Sequence, residues 1–370
     1  MTTNKTPPGE AGGVRVGPRR FILEPQDVVA AFVTLGKAPP EAPLFAGLPV
    51  YTGTTAGRLL DKGGKLKPEL TLIFEVLSDA RCSLALDVFT PGGEAFVGVR
   101  FLSAGPAAPY VMMARTAEGN WDLALLTGAD QLMVLVEDLL GLTGVPSRDT
   151  DLRVRLTVPA LTALLAFGDL MQEEELQRRL ARRTGLPLAA LRPIVVGDLL
   201  RMVELGLDSQ DSRWGVTLAA LLGEADFDAC RSVAALEEGV RQLMALELVD
   251  EDSLPDAGAV GLARALGAPL TAAAVVVAAS GKNTVWLDHL VVYRTTQGFL
   301  TGVWGEGEGG RVLTLAETSA ATVLSMIQAA ATGPVPEEAA AASGACGRCG
   351  SPAQTGARFC TQCGEQLAPA

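Results

Sequence analysis

Two stretches of this 370-residue chain share one pattern, and that pattern decides the fold. The first reads Arg20-Phe21-Ile22-Leu23-Glu24-Pro25 and runs into the apolar residues 28–36; the second reads Val154-Arg155-Leu156-Thr157-Val158-Pro159 and runs into residues 161–168. Each predicts a short strand, a proline that opens a helix, and an apolar helix that a glycine ends. The same order of elements at two places in one chain indicates an internal duplication.

The two halves match again further along the chain. In both, a Leu-rich segment leads to a helix, then to strands joined by a tight turn, and finally to a closing apolar helix. The matched pairs are residues 59–69 with 248–256, helices 70–77 with 259–266, strands 83–89 with 271–278, the turns Arg115-Thr116-Ala117-Glu118-Gly119 and Arg294-Thr295-Thr296-Gln297-Gly298, and helices 129–140 with 319–328. The alternative is that two ordinary α+β domains share common element types.

These patterns predict an α+β protein built from two similar halves with quasi-twofold symmetry. We divide it into a disordered tail (residues 1–18), a first half (19–145), a second half (146–330), a flexible linker rich in Pro and Ala (331–345) and a small C-terminal module (346–366). The second half carries a helical insertion over about residues 171–238. Its first helix begins with acids 173–175 and ends with arginines, which favours either a charged docking face or a solvated helix whose charges suit the macrodipole.

The C-terminal module carries the one motif that dictates a chemistry. It reads Cys346-Gly347-Arg348-Cys349-Gly350 and then Phe359-Cys360-Thr361-Gln362-Cys363-Gly364. Two C-x2-C-G knuckles offer four thiolates in the arrangement that a tetrahedral zinc ion prefers, and four protein ligands leave no open position for a substrate. We therefore predict a structural zinc ribbon with Cys346, Cys349, Cys360 and Cys363 as ligands. Reduced thiols or disulfides are the alternative.

Other motifs favour ordinary structural roles. Residues 305–310 formally fit G-x-G-x-x-G, but a strand follows them and two glutamates would repel a phosphate, so we expect a hairpin loop. The single histidine, His289, lies in a strand-like run without a nucleophile motif. The acid clusters at 173–175, 208–211 and 250–252 are typical of solvated helices and turns. No catalytic or cofactor-binding residue is predicted.

Composition limits the function further. The chain is 48% hydrophobic and 19% charged, so it can bury a large core, and its net charge of −12 disfavours broad affinity for nucleic acid or anionic membranes. Two uncharged runs, residues 265–281 and 318–336, are predicted as a buried strand and as a helix that enters the linker, not as membrane spans. Cys82 and Cys230 stand apart from the other cysteines, which together with the lack of a secretory signal favours the reducing cytoplasm.

The order of elements over about residues 19–330 resembles the EspG-like chaperones of type VII (ESX) secretion. Leu23-Glu24-Pro25 and the Arg115-Thr116-x-x-Gly119 pattern carry this resemblance. It implies an α+β body with quasi-twofold symmetry that binds substrate proteins in the cytosol before export. The zinc ribbon departs from that family, and no functional residue is carried over.

Two classes of function follow. The first is a non-enzymatic adaptor or chaperone whose body holds a protein partner, with the insertion at 171–238 as the expected partner-facing element. The second is a nucleic-acid-associated regulator that uses the ribbon as its contact. An enzyme is the least favoured interpretation, and the sequence leaves the oligomeric state open.

Overall fold

The computed structural model describes most of the two predicted halves. The described residues are 19–39, 45, 48–49, 57–90, 96–105, 108–145, 152–184, 195–209, 211–223, 225–250, 256–280, 285–307 and 310–332. The N-terminal tail and the cysteine module lie outside them, so the structure does not test either prediction.

The first half contains five strands and three helices in its described part. They are β1 (Arg20–Leu23), α1 (Pro25–Thr34), α2 (Pro68–Ser78), β2 (Cys82–Phe89), β3 (Phe96–Ser103), β4 (Tyr110–Arg115), β5 (Trp121–Leu126) and α3 (Ala129–Leu140). The helix predicted at 129–140 is confirmed at both ends. Gly141 ends it in the left-handed region, at φ 60°, where glycine has no Cβ penalty.

The second half repeats this order with extra helices after its first strand. Its described elements are β6 (Arg153–Thr157), α4 (Val158–Thr184), α5 (Val196–Ser209), α6 (Gly215–Leu222), α7 (Val233–Ala245), α8 (Ala257–Gly267), β7 (Thr271–Ser280), β8 (Val285–Arg294), β9 (Phe299–Gly307), β10 (Gly310–Thr318) and α9 (Ala320–Thr332). The strand predicted near residue 271 and the closing helix near residue 320 are both present.

The ten strands found in the described residues form one antiparallel sheet in the order β1-β5-β4-β3-β2-β7-β8-β9-β10-β6. The halves meet where β2 pairs with β7, in register from Cys82 opposite Ala279 to Phe89 opposite Ala272. Outward from this join, each half adds its next three strands in chain order and places its first strand at the outer edge. The predicted mixed α+β class is confirmed.

Helices cover the two faces of the sheet differently. On one face, α3 and α9 pack over the middle of the sheet on a core that includes Leu86, Phe101 and Val275. On the other face, α1 and α2 cover the strands of the first half, while α4–α8 cover those of the second. That face therefore carries two separate helical layers.

One boundary prediction is wrong. Gly168 does not end a helix, because α4 continues through it for 27 residues, so the predicted helix at 161–168 and the one that opens with acids 173–175 are a single helix. Gly168 lies at a helix crossing: a Cβ there would stand 3.0 Å from the carbonyl oxygen of Ala263 in α8. The glycine thus permits close packing and costs only about 1 kcal/mol of helix propensity. The acids 173–175 lie mid-helix, so the macrodipole does not explain them.

The α4–α7 contact depends on a second glycine. Gly239 of α7 lies against the backbone of Pro159 in α4, and a Cβ on it would overlap the Pro159 carbonyl group. Backbone cannot move aside as a side-chain end can, so the two helices would have to separate.

Gly239→Ala is expected to lower the free energy of unfolding by about 1–3 kcal/mol, the usual cost of overpacking. Gly261→Ala is the matched control: Gly261 lies in α8 with open space around its Cβ position, and the change should be neutral or stabilise by up to about 1 kcal/mol. Urea unfolding of the two variants measures the difference. Equal changes in the free energy of unfolding for the two variants would show that α4 and α7 pack less closely than described.

A buried carboxylate joins α4 to α6. Asp169 of α4 is fully buried and accepts hydrogen bonds from the backbone N–H groups of Gly215 (2.6 Å) and Val216 (3.1 Å) at the start of α6. Burial raises the pKa of Asp169 from 3.8 to about 7, although the two backbone hydrogen bonds act in the opposite direction. The side chain satisfies amides that the α6 N-terminus would otherwise leave unpaired.

This carboxylate should make stability pH-dependent. Because the pKa of Asp169 is higher in the folded than in the unfolded state, the folded state binds more protons between about pH 4 and 7. The contribution of Asp169 is therefore greatest below pH 4, falls as pH rises, and levels off above about pH 7. Relative to Asp169→Asn, which does not titrate, the wild type should lose up to roughly 4 kcal/mol across this window. Parallel stability–pH curves for the two proteins would contradict this assignment.

Candidate functional site

The zinc ligands predicted from the sequence, Cys346, Cys349, Cys360 and Cys363, lie outside the described residues. Their role therefore stays a prediction. Within the described ranges, no cluster of three or more His, Cys, Asp or Glu side chains is arranged to hold a metal ion.

The two isolated cysteines are both buried and unbridged. Cys82 begins β2, while Cys230 lies in a short 3-10 turn between α6 and α7. Burial raises the pKa of the Cys230 thiol, which disfavours the reactive thiolate. Neither residue marks a reactive site.

The remaining motifs take the structural places expected of them. His289 is a buried residue of β8, and the glycine-rich stretch lies at the β9–β10 hairpin. Asp208 pairs with Arg231, and Asp211 with the neighbouring Arg213. The ion pairs give these two acids structural roles.

The feature that the structure does define is a strip of open sheet between the two helical layers. Paired residues of antiparallel strands project from the same face. Asp87 of β2 stands opposite Ala274, which belongs to the core under α4–α8. Arg100 of β3 stands opposite Met113, which belongs to the core under α1 and α2. The outward residues of β2 and β3 therefore lie between these two cores, and Phe89 and Leu102 pack against their margins. We call this strip the central cleft.

Burial along β2 and β3 shows that the cleft is open. Along β2, buried residues that face α3 and α9 alternate with half-buried residues that face the cleft. The cleft floor is formed by half-buried side chains of β2 and β3 together with the exposed Phe96, namely Ser83, Ala85, Asp87, Phe89, Phe96, Gly98 and Arg100. One side of these strands is thus packed, and the other is accessible.

Charge in the floor is internally balanced. The guanidinium of Arg100 donates to both carboxylate oxygens of Asp87, over 2.7 and 3.0 Å. This forked geometry satisfies the carboxylate and fixes both side chains. The pair leaves the cleft without a net charge from its floor.

An aromatic pair closes one end of the cleft. The rings of Phe89 and Phe96 stand 4.9 Å apart, and Phe96 is 59% exposed. Gly98 makes room for this arrangement, because a Cβ there would lie 3.1 Å from Oδ1 of Asp87 and 3.3 Å from the Phe96 ring. A large exposed aromatic beside a neutral floor is suited to an apolar contact.

The walls of the cleft come from both halves. On one side α2 packs over β3, β4 and β5; on the other α6 packs over β7. Helix α6 belongs to the insertion predicted at residues 171–238. The insertion therefore borders the cleft through the helix that lies nearest to β2.

Sequence reasoning missed the cleft residues. Two signals were available in the sequence. Residue types alternate along β2, and the adjacent strands β2 and β3 each carry one charged residue, Asp87 and Arg100. What could not be read from the sequence is that β2 pairs with β7, since this pairing joins segments that are distant in the chain.

Comparison with known proteins assigns no family to this chain. No family model matches the chain, and no curated protein matches it. Among solved structures, it is similar to the type VII secretion system chaperone EspG5 of Mycobacterium tuberculosis, solved in complex with the PE25–PPE41 dimer. The two chains share 10% identity with a TM-score of 0.44, over 86% of this chain and 97% of EspG5. A likeness at this level carries no argument, so the proposals below rest on this chain's own residues.

None of the described helices combines the length and the hydropathy that a membrane span requires.

Proposed function

We propose that this protein is a non-enzymatic adaptor or secretion-type chaperone, which holds an extended, apolar-rich segment of a protein partner in the central cleft. The observation that carries the proposal is the open strip of β2 and β3, with the exposed Phe96 at its end. Monomeric proteins rarely leave apolar surface uncovered in the middle of a sheet unless something binds there.

The chemistry of the floor supports binding over catalysis. Its acid and its base, Asp87 and Arg100, neutralise each other through two hydrogen bonds. A general acid or base must contact the substrate, and here each of the two groups contacts the other. The small residues Ser83, Ala85 and Gly98 instead let another chain approach the sheet closely.

The width of the cleft favours an extended occupant. The wall helices α2 and α6 are centred near β4 and β7, which are three strand spacings, or about 14 Å, apart. A helix between them would need about 8–10 Å to each neighbouring helix axis, or about 16–20 Å in all. An extended segment needs less room and can place alternate side chains on the floor.

The proposed class of chaperone rests on the sequence. The order of elements resembles the EspG-like chaperones, and the strand order, which repeats outward from the β2–β7 join, supports an origin by duplication with quasi-twofold symmetry. The cytoplasm, with its reducing conditions, is the proposed location because the buried Cys82 and Cys230 form no disulfide in the described part of the chain.

Phe96→Asp is expected to weaken partner binding about 10- to 30-fold, as loss of an aromatic anchor costs roughly 2 kcal/mol. The partner is first identified by a photo-crosslinking residue at position 96 of the full chain in its source cells, and affinity is then measured by calorimetry. Ile22→Asp is the matched control, because Ile22 is equally exposed, at 63%, but lies on the edge strand β1.

Unchanged affinity in Phe96→Asp, or an equal loss in Ile22→Asp, would overturn the cleft as the binding site. Crosslinks to nucleic acid in place of protein would favour the regulator instead.

We further propose that residues 346–366 form a zinc ribbon tethered to the body. The support is the spacing of its four cysteines, which matches a closed tetrahedral site. Such a module folds on metal binding, since it is too small to form a core of its own.

The purified full chain should contain one zinc per molecule by elemental analysis, and Cys360→Ser should lose most of it because three ligands bind zinc much more weakly. Cys82→Ala, which removes a buried cysteine of β2, is the control and should keep the metal. Zinc content that is low in the wild type, or equal in the wild type and Cys360→Ser, would rule the ribbon out.

A further inference from the structure

Helix α9 ends above the row of sheet residues where β2 begins. The hydroxyl of Tyr110 donates a hydrogen bond to the backbone carbonyl of Ala331 over 3.3 Å. Tyr110 stands opposite Ser103 of β3, and Ser103 stands opposite Cys82, the first residue of β2. The chain therefore leaves α9, at Thr332, close to one end of the central cleft.

The end of α9 and the cleft lie on opposite faces of the sheet. Ala330 and Ala331 belong to the core under α3 and α9, whereas Ser83, the second residue of β2, lies on the cleft floor. The strands end at this point, so a chain that leaves α9 can reach the cleft by crossing the rim of the sheet beside Cys82.

The segment that follows α9 has the length for this path. Residues 333–345, which lie outside the described residues, separate Thr332 from the first cysteine of the predicted ribbon. When extended, they span about 43 Å. The path from the α9 layer across the sheet takes about 20 Å, at roughly 10 Å for each layer, and the floor from Ser83 to Phe89 is about 20 Å long. The segment reaches the far end of the floor only as an extended chain.

The composition of the segment suits the two parts of this path. Residues 333–338 have the length to cross the rim, and residues 339–345 have the length of the floor. The second part consists of four alanines, a serine, a glycine and an alanine. These small residues match a floor that is itself lined by Ser83, Ala85 and Gly98, and an isolated run of this length is too short for a stable helix in water.

Charge at the rim favours the same register. Arg81 directly precedes β2, is exposed, and donates its backbone N–H to Ser103. Its guanidinium forms no ion pair with any residue in the described part of the chain. Glu337 and Glu338 are the charged residues of the segment 333–345, and the length of the path brings both to this rim.

We propose that residues 339–345 occupy the central cleft when no partner is bound there, with Glu337 and Glu338 beside Arg81. The inference rests on the proposed function, since it makes the segment a competitor for the partner's surface. A tethered segment has a high effective concentration, on the order of millimolar, so weak contacts are enough to hold it. Its alanines bury little apolar area, so a partner with larger apolar side chains displaces it.

The test uses the purified full chain with a photo-crosslinking residue at position 96, without a partner. Irradiation should join position 96 to residues 339–345, and mass spectrometry locates the crosslink. A mixture of isotopically labelled and unlabelled chains shows whether both ends of a crosslink belong to one chain. The same photo-crosslinking residue at position 22, on the edge strand β1, is the control and should not reach the segment.

The outcomes separate this inference from the proposed function. A free chain without crosslinks to residues 339–345, or with crosslinks only between chains, would overturn the inference, even where a partner crosslinks to position 96. Crosslinks within one chain that a saturating partner leaves unchanged would support the inference and overturn the cleft as the partner's site.

A charge reversal tests the register at the rim. Arg81→Glu should lower the crosslink yield by up to about fivefold, the upper range for an exposed ion pair. Adding Glu337→Arg and Glu338→Arg to the same chain should restore the yield. Lys62→Glu is the matched control, because it makes the same charge change at an exposed residue before α2 and should leave the yield unchanged.

Thermal unfolding checks that each variant folds. Equal yields in Arg81→Glu and Lys62→Glu, or a triple variant whose yield does not recover, would contradict the register and with it the proposal.

Discussion

The pairing of β2 with β7 is the constraint on which the rest of the structure depends. Through eight successive residue pairs it joins two five-stranded half-sheets into one, and it buries an edge of each that would otherwise expose unpaired backbone groups. The strands it joins are distant in the chain, so their association has a high entropic cost that packing must offset. The core shared by α3 and α9 lies over this join and supplies that packing.

The cleft follows from the same join. Each half carries helices over its own strands on the opposite face, but these two layers do not meet above β2 and β3. On an isolated half, β2 would be an edge strand with a partly covered face. In the joined sheet it lies at the centre, so its outward residues become the floor of a cleft with a wall from each half.

The second half departs from the first through α4. Its glycines allow α7 and α8 to approach its backbone, and Asp169 fastens α6 to it. The helix is therefore the frame on which the insertion is built. Its length carries the exposed Leu176 and Leu180 beyond the covered core.

The sequence by itself determined the element types, most of their boundaries and the repeated order, because apolar periodicity, prolines and tight-turn glycines act locally. It also predicts a zinc site at the four C-terminal cysteines, from their residue type and spacing. It misjudged Gly168, since a glycine that ends a helix and one that lets two helices touch look alike until the neighbouring helix is known. Only the tertiary structure decided that β2 meets β7, that Asp87 and Arg100 neutralise each other and that Phe96 stays exposed. These outcomes depend on contacts between distant segments, which no local pattern encodes.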